Sequence, residues 1–280
     1  MGWLLVAASL AGCSALKLGY NTLPDLAYWW LDGYADFTDE QAPRVRDELA
    51  RLQAWHRANE LPKIADMLER MERLAPGPVS PEQACAFVQE AQARLVAIAH
   101  HGAPAATAFI PAFSARQLRH IERRFEKKNA EWRAEWIEPP ARERQEKRFK
   151  QWADRLETLY GPLDDAQREV LRRAVARTTW DPQRQLAEWQ RRQADLLGVV
   201  REIQASAGDP VKGPALLHAF VARGLRSPDA AYRQYQHALL EENCRTFAAV
   251  HESTSAEQRA RAARRLKAWQ RDLRELASAP

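Results

Sequence analysis

Apolar residues recur at spacings of three and four along most of the chain. Val45, Leu49 and Leu52 form one stripe, and Leu118, Ile121, Phe125, Trp132 and Trp136 form another. Leu186, Trp189, Leu196, Val200 and Ile203 follow a near-heptad course, as do Leu266, Trp269, Leu273 and Leu276. Such spacings gather side chains on one face of a 3.6-residue helix, and the intervening faces are rich in Arg and Glu. Glu143 with Lys147 and Glu146 with Lys150 add i,i+4 pairs of the favourable polarity, worth about 0.3 kcal/mol each. The pattern predicts an all-α fold, an elongated bundle of antiparallel amphipathic helices.

Short Pro/Gly-containing connections divide these segments: Pro76-Gly77-Pro78, Gly102 to Pro104, Pro139-Pro140, Gly161-Pro162, Asp181-Pro182, Gly208 to Pro214 and Ser227-Pro228. Pro62 falls inside a helical stretch and is expected to bend or interrupt it. None of the breaks has the length of an interdomain linker. A single helical domain is therefore expected over residues 37–280, preceded by an N-terminal segment, 13–36, that carries an aromatic cluster.

The first residues read differently. An apolar run from Trp3 ends in Leu10-Ala11-Gly12-Cys13, the pattern of a lipoprotein cleavage site. The run is too short to cross a bilayer and fits the core of a secretory signal. Cleavage between Gly12 and Cys13 would remove residues 1–12 and leave Cys13 to carry diacylglycerol and palmitate. No Lys or Arg precedes the run, a departure that an upstream start codon would account for. Ser14 after the cysteine fits sorting to the outer membrane, so the expected location is the outer membrane, lipid-anchored and facing the periplasm. Beyond the signal no stretch is read as long and apolar enough to span a membrane, and the body is expected to be soluble.

Composition supports helices and narrows the chemistry. Hydrophobic residues make up 46% and charged residues 28%, with only 11 Gly, a balance typical of helical proteins with charged outer faces. Cys85 and Cys244 are the remaining cysteines. In an oxidising compartment they can form one disulfide, but two buried unpaired thiols on apolar helix faces are the favoured reading. The net charge of +5 is unevenly distributed. Acidic residues dominate from Asp25 to Glu48, and from Arg259 to Arg274 seven basic residues face Asp272 alone. A solvated helix face is the simplest account of this asymmetry, with an acidic-to-basic contact within the fold or a basic surface for anionic partners as the alternatives.

A short motif recurs just after several breaks: an apolar or small residue, a capping residue, two others, then Gln. Its polar pairs are Thr38 and Gln41, Ser80 and Gln83, Ser114 and Gln117, Asp164 and Gln167, and Ser255 and Gln258. Each reads as a capping box, in which the first side chain accepts from the N3 amide and the Gln reaches back to the cap amide. Their spacing is too irregular for a solenoid.

The repeated motif resembles the LTxxQ boxes of small helical periplasmic stress chaperones of the Spy and CpxP type. A likeness along nearly the whole chain is to a family of uncharacterised proteobacterial lipoproteins. It is carried by Cys13, by Leu26-Ala27-Tyr28-Trp29-Trp30-Leu31-Asp32-Gly33-Tyr34, by the box from Thr38 to Gln41, and by Trp55-His56-Arg57 ahead of Glu60-Leu61-Pro62. The later boxes at Ser114, Asp164 and Ser255 fall where that family repeats them. The resemblance implies a location and a helical fold and supplies no catalytic residues.

Candidate chemistry is sparse. Tyr28, Trp29, Trp30 and Tyr34, with Trp55 and His56, make a candidate binding surface, although capping the helical core is the simpler role for the aromatics. His56 and Glu60 stand i,i+4, but a metal site needs a third ligand. His100-His101 is read at a helix end. From Arg116 to Lys150 there are 12 Lys/Arg against seven Asp/Glu, with Phe125, Trp132, Trp136 and Phe149 interleaved. Given the signal, an anionic envelope polymer fits that segment better than nucleic acid. No nucleophile elbow, phosphate loop, HExxH helix or dinucleotide fingerprint occurs, so no catalytic residue, metal or cofactor is expected. The expected role is a non-catalytic, polypeptide-binding or chaperone-like envelope protein with an unfolded client or protein partner. A structural or assembly factor on an envelope complex is the alternative, and an enzyme acting on cell wall or lipid a more remote one.

Overall fold

A computed structural model describes residues 15–206 and 209–279; Gly12 and Cys13 lie outside the described residues. Among these residues there are twelve α-helices and no strand, so the all-α bundle expected from periodicity is correct. The helices are α1 (Ala15–Asn21), α2 (Leu23–Ala35), α3 (Gln41–Asn59), α4 (Leu61–Leu74), α5 (Pro81–Phe109), α6 (Ala115–Trp132), α7 (Ala141–Tyr160), α8 (Asp165–Ala176), α9 (Pro182–Ala205), α10 (Lys212–Leu225), α11 (Ala230–Ser253) and α12 (Ala256–Ser278). A tight 3₁₀ turn, Ile110–Ala112, follows α5, and a widened π turn, Arg133–Ile137, extends α6 and carries its stripe on to Trp136. Pro62 falls in the first turn of α4, where it lacks an amide the helix would leave unpaired anyway, and α3 ends at Asn59 ahead of it.

Four of the five predicted capping boxes cap their helices; the first, at Thr38, lies in the turn before α3, whose N-cap is Glu40. In the last four, the cap oxygen accepts from the Gln backbone amide at 2.8–3.2 Å, and the Gln Oε1 accepts from the cap amide at 2.9–3.0 Å. Thr38 and Gln41 exchange the same two bonds in the turn that leads into α3.

Four of the boxes also meet in pairs across the fold. Gln117, itself buried, donates through Nε2 to Gln41 Oε1 at 2.8 Å and to the carbonyls of Ala35 and Asp36 at 3.1 Å. Gln167 Nε2 likewise donates to Gln258 Oε1 at 2.7 Å and to Ser253 O at 3.1 Å, while Gln258 Nε2 donates to Pro162 O at 2.9 Å. The α2–α3 turn is thereby tied to the start of α6, and the α7–α8 turn to the α11–α12 turn. A capping box alone needs only an acceptor from its fourth residue, which Glu supplies as well as Gln. The cross-fold bond needs a donor on the same side chain, and Gln has one.

The segment from Gly102 to Pro104 is not a break. α5 runs straight through it. Pro104 cannot donate to the carbonyl of His100, but His218 of α10 lies with Nε2 3.3 Å from that oxygen. The same correction moves His100-His101 from a helix end to a helix interior. It also makes Pro81–Ala112 long and apolar enough to cross a membrane by length and composition, contrary to the expectation that no stretch would qualify. In the fold this segment is held laterally: Glu90 pairs with Arg70 and Arg94 with the buried Glu60.

The cysteines are also corrected. Cys85 of α5 and Cys244 of α11 form a disulfide with a sequence separation of 159. Helical periodicity put each on a packed face, but only the antiparallel course of distant helices brings the two faces together.

The largest core cluster gathers α7, α8, α11 and α12 around Tyr160, Leu171, Val250 and Ala262. A second, around Leu61, Ala65, Leu273 and Leu276, joins α4 to α12 and takes in Leu16 and Tyr20 of α1. From the basic run of α12, Arg274 pairs with Asp66 and Glu69 of α4, while Arg259, Arg261 and Arg271 pair with Glu252, Glu257 and Glu275 nearby in sequence. Within the first cluster His251 is buried between Tyr160 Oη, 2.8 Å from Nδ1, and Gly77 O, 2.7 Å from Nε2. A carbonyl only accepts, so Nε2 carries the proton and Nδ1 accepts from the tyrosine.

Two measurements check these assignments. Gln167→Glu should cost about 2 kcal/mol by removing a buried donor and placing charge against Gln258 Oε1, whereas Gln83→Glu, in the box without a cross-fold partner, should be near neutral in urea unfolding. Equal losses in the two variants would show that the paired amides do nothing beyond capping. Burial also depresses the affinity of His251 for a proton, an effect the bond to Gly77 only partly offsets. With the folded value below the unfolded one of about 6.5, the contribution is complete above that pH and is lost as pH falls through the window beneath it. The melting temperature should drop between about pH 7 and pH 5, and His251→Gln should flatten that slope. An unchanged slope would exclude His251, leaving His56, whose proton affinity burial also lowers.

Candidate functional site

The stripes on α3, α5, α6 and α9 converge without filling the space between them. They leave a cleft of about 840 Å³, in the upper part of the range of small-ligand pockets. Leu49 and Leu52 of α3, Gly102, Ala105 and Phe109 of α5, Ile121, Phe125 and Trp132 of α6, and Trp189, Leu196 and Val200 of α9 form its walls. Trp30 and Tyr34 of α2 stand along one edge, and Leu217 of α10 along another.

Aromatic packing sets one end. Trp132 lies 4.4 Å from Trp189 and 5.7 Å from Trp136 between ring centroids, and Trp180 meets Trp136 edge-on at 5.2 Å. The Trp132 indole is fixed by donating to Pro182 O at 3.0 Å, and Arg148 lies 4.3 Å from the Trp180 ring centre. At the other end Tyr34 packs on Phe125 at 5.9 Å, with the Arg124 guanidinium 5.5 Å from its ring centre. The polar lining residues are few: Glu48, Lys128, Glu131, Glu135 and Gln193. Lys128 bonds Glu131 at 2.7 Å and holds its carboxyl below the ordinary range. Gln193 exchanges bonds with the buried Asn129 at 2.8 and 3.1 Å. Nothing in this lining pairs a nucleophile with a base.

The aromatic candidates separate. Trp30 and Tyr34 reach the cleft. Tyr28 stacks on Phe37 under Arg46, whose guanidinium lies 3.5 Å from its ring centre, so it serves packing. Trp29 points away and is 74% exposed. Trp55 stacks on His101 at 4.0 Å, and His56 Nδ1 lies 3.0 Å from Tyr20 Oη; neither lines the cleft. Glu60 pairs with Lys63 at 2.7 Å rather than with His56. Among the described residues no group of three or more His, Cys, Asp or Glu is placed to hold a metal ion.

Leu49, Leu52, Phe125, Trp132, Trp189 and Leu196, read in sequence as core stripes, stand along the cleft, whereas Ile121 and Val200 are buried in the core as well as lining it. Periodicity marks the inward face of a helix, and it says nothing of whether the space in front of that face is filled.

The sequence profile of DUF6279, a family of unknown function, matches residues 33–212. The chain belongs to that family. No curated protein and no solved structure matches it. The DUF6279 segment holds the cleft lining from Tyr34 to Val200 and four of the five capping boxes; Trp30, Leu31 and Leu217 of the lining lie outside it.

Gly102 offers a direct test of the cleft. A Cβ there would meet only Leu52 Cδ2, at 3.7 Å. Gly102→Leu should therefore raise helix stability by up to about 1 kcal/mol while its side chain enters the cleft. An apolar fluorescent probe should bind the variant roughly tenfold more weakly, a change of about 1.4 kcal/mol, with no loss in melting temperature. Unchanged probe affinity would show that the cleft is not where apolar molecules bind.

Proposed function

We propose that this DUF6279 protein is a lipid-anchored, non-catalytic protein of the outer membrane that faces the periplasm and binds an apolar segment of a partner polypeptide in the cleft. The observation that carries the reading is the cleft itself: a large apolar wall whose few polar groups are already paired, Lys128 with Glu131, Glu135 with Lys147, Glu48 with Arg51 and Gln193 with Asn129. A small-molecule site orients its ligand with placed polar groups inside an apolar pocket. A lining of this kind instead suits bulky apolar side chains. The anchor rests on the run Leu10-Ala11-Gly12-Cys13, and the Cys85–Cys244 disulfide supports an oxidising compartment such as the periplasm.

Two measurements separate location from binding. The mass of the mature N-terminus from a Gram-negative host should show acylation at Cys13, lost in Cys13→Ala; an uncleaved, unmodified chain would overturn the anchoring. The purified protein should slow aggregation of a reduced, denatured client, and Gly102→Leu should abolish that effect. Equal protection by both proteins would move the binding surface elsewhere, and no protection by either would overturn the binding role. Crosslinking in cells then distinguishes many transient clients from one dominant partner, the outcome expected of an assembly factor.

A further inference from the structure

At the start of the described residues, α1 and α2 carry an apolar face on which no other described residue packs. Leu18 of α1 is 63% exposed, and Leu23, Leu26, Trp29 and Trp30 of α2 are exposed as well. On α2 the steps of three and four place these side chains within about one third of the helix circumference. Elsewhere α2 is packed, with Tyr28 and Ala35 turned inward and Gly33 against Arg124, so the outward face is not simply the result of a detached helix.

A cationic face adjoins it. Arg264, Lys267, Arg271 and Arg274 are exposed on successive turns of α12, with Arg274 already paired to Asp66 and Glu69 of α4. Arg271 pairs with Glu275 at 3.8 Å, Glu275 also bonds Lys17 of α1, and Leu18 is the next residue. The basic face of α12 is thus linked to the apolar face through α1, which packs on both α12 and α2. Residue 15, where α1 begins, is two positions beyond Cys13.

We infer that this combined face docks on an anionic phospholipid surface, with the Leu18–Trp30 stripe in the headgroup layer and the α12 cations against lipid phosphates. The inference rests on the proposed anchoring at Cys13. Three features select the lipid surface over a protein partner: the position of the face directly after the anchor, the tryptophans that favour the membrane–water boundary, and the basic residues that anionic headgroups attract. An interfacial helix with an apolar face and a neighbouring cationic patch is a recognised second membrane signal.

The test uses the full lipidated chain reconstituted in vesicles of phosphatidylethanolamine and phosphatidylglycerol with brominated acyl chains, which quench nearby tryptophan. The wild type should be quenched, less so at about 0.5 M salt, where charges are screened within a few ångströms. Leu26→Ser with Trp29→Ser, neither lining the cleft, should lose the quenching while staying vesicle-bound through the lipid. Arg264→Glu with Lys267→Glu should remove the salt-sensitive part. A lipidated, vesicle-bound wild type whose tryptophans are no more quenched than those of the Leu26/Trp29 variant would overturn this inference and leave the anchoring intact. Should the N-terminal mass show no lipid, the anchoring falls, and quenching by the same vesicles still decides the face.

Discussion

The paired glutamine amides are the constraint on which the arrangement of helices depends. Each α-helix begins with amides that have no partner inside it, and the capping boxes satisfy some of these locally. In Gln117 and Gln167 the same side chain then commits its NH₂ group to a second turn distant in sequence. Both glutamines are buried, where an unmade hydrogen bond costs more than a made one contributes. The turns cannot separate without exposing those amides to a site that offers no water, so the ends of α3 and α6, and of α8 and α12, are fixed relative to each other.

Fixing the ends explains how a cleft survives in a small helical protein. Interiors usually close to crystal-like density because helices slide until their side chains interlock. Here α3 and α6 are pinned at their N-termini, α6 and α9 are joined by the Asn129–Gln193 exchange, and α5 is held to α11 by a covalent bond and to α10 at His218. Gly213 comes close enough to Thr107 that a Cβ would sit 3.0 Å from the Thr107 Cβ, which sets the α5–α10 approach. Helices restrained at these points keep their apolar faces apart, and the aromatic end around Trp132 fills only part of what remains.

Much of this was legible in the sequence, and the failures share one physical origin. Local rules found the helices, because stripes at three and four and capping boxes are properties of single segments. Pro62 obeyed its rule because it falls where a helix starts. Pro104 escaped the same rule because a residue more than a hundred positions away takes over the orphaned carbonyl. The disulfide, the cleft and the separation of Trp29 from Trp30 likewise depend on which faces meet. The repeated Gln carried a local hint: a box that only caps is served equally by Glu, and in four of the five boxes the amide nitrogen does bond a distant turn.

Trp30 links the two proposed surfaces. It lines the cleft while remaining 60% exposed, and Trp29 beside it turns wholly outward. A lipid surface that takes up Leu26 and Trp29 therefore fixes the azimuth of α2 and, through Trp30, sets the edge of the cleft beside the headgroup layer. In the proposed arrangement, a guest approaching that edge would move along the membrane plane, where search is two-dimensional. Under that proposal the rigid turns acquire a functional meaning: a cleft that held its opening against a bilayer could not rely on helices free to pivot, and the buried amide pairs restrict that freedom.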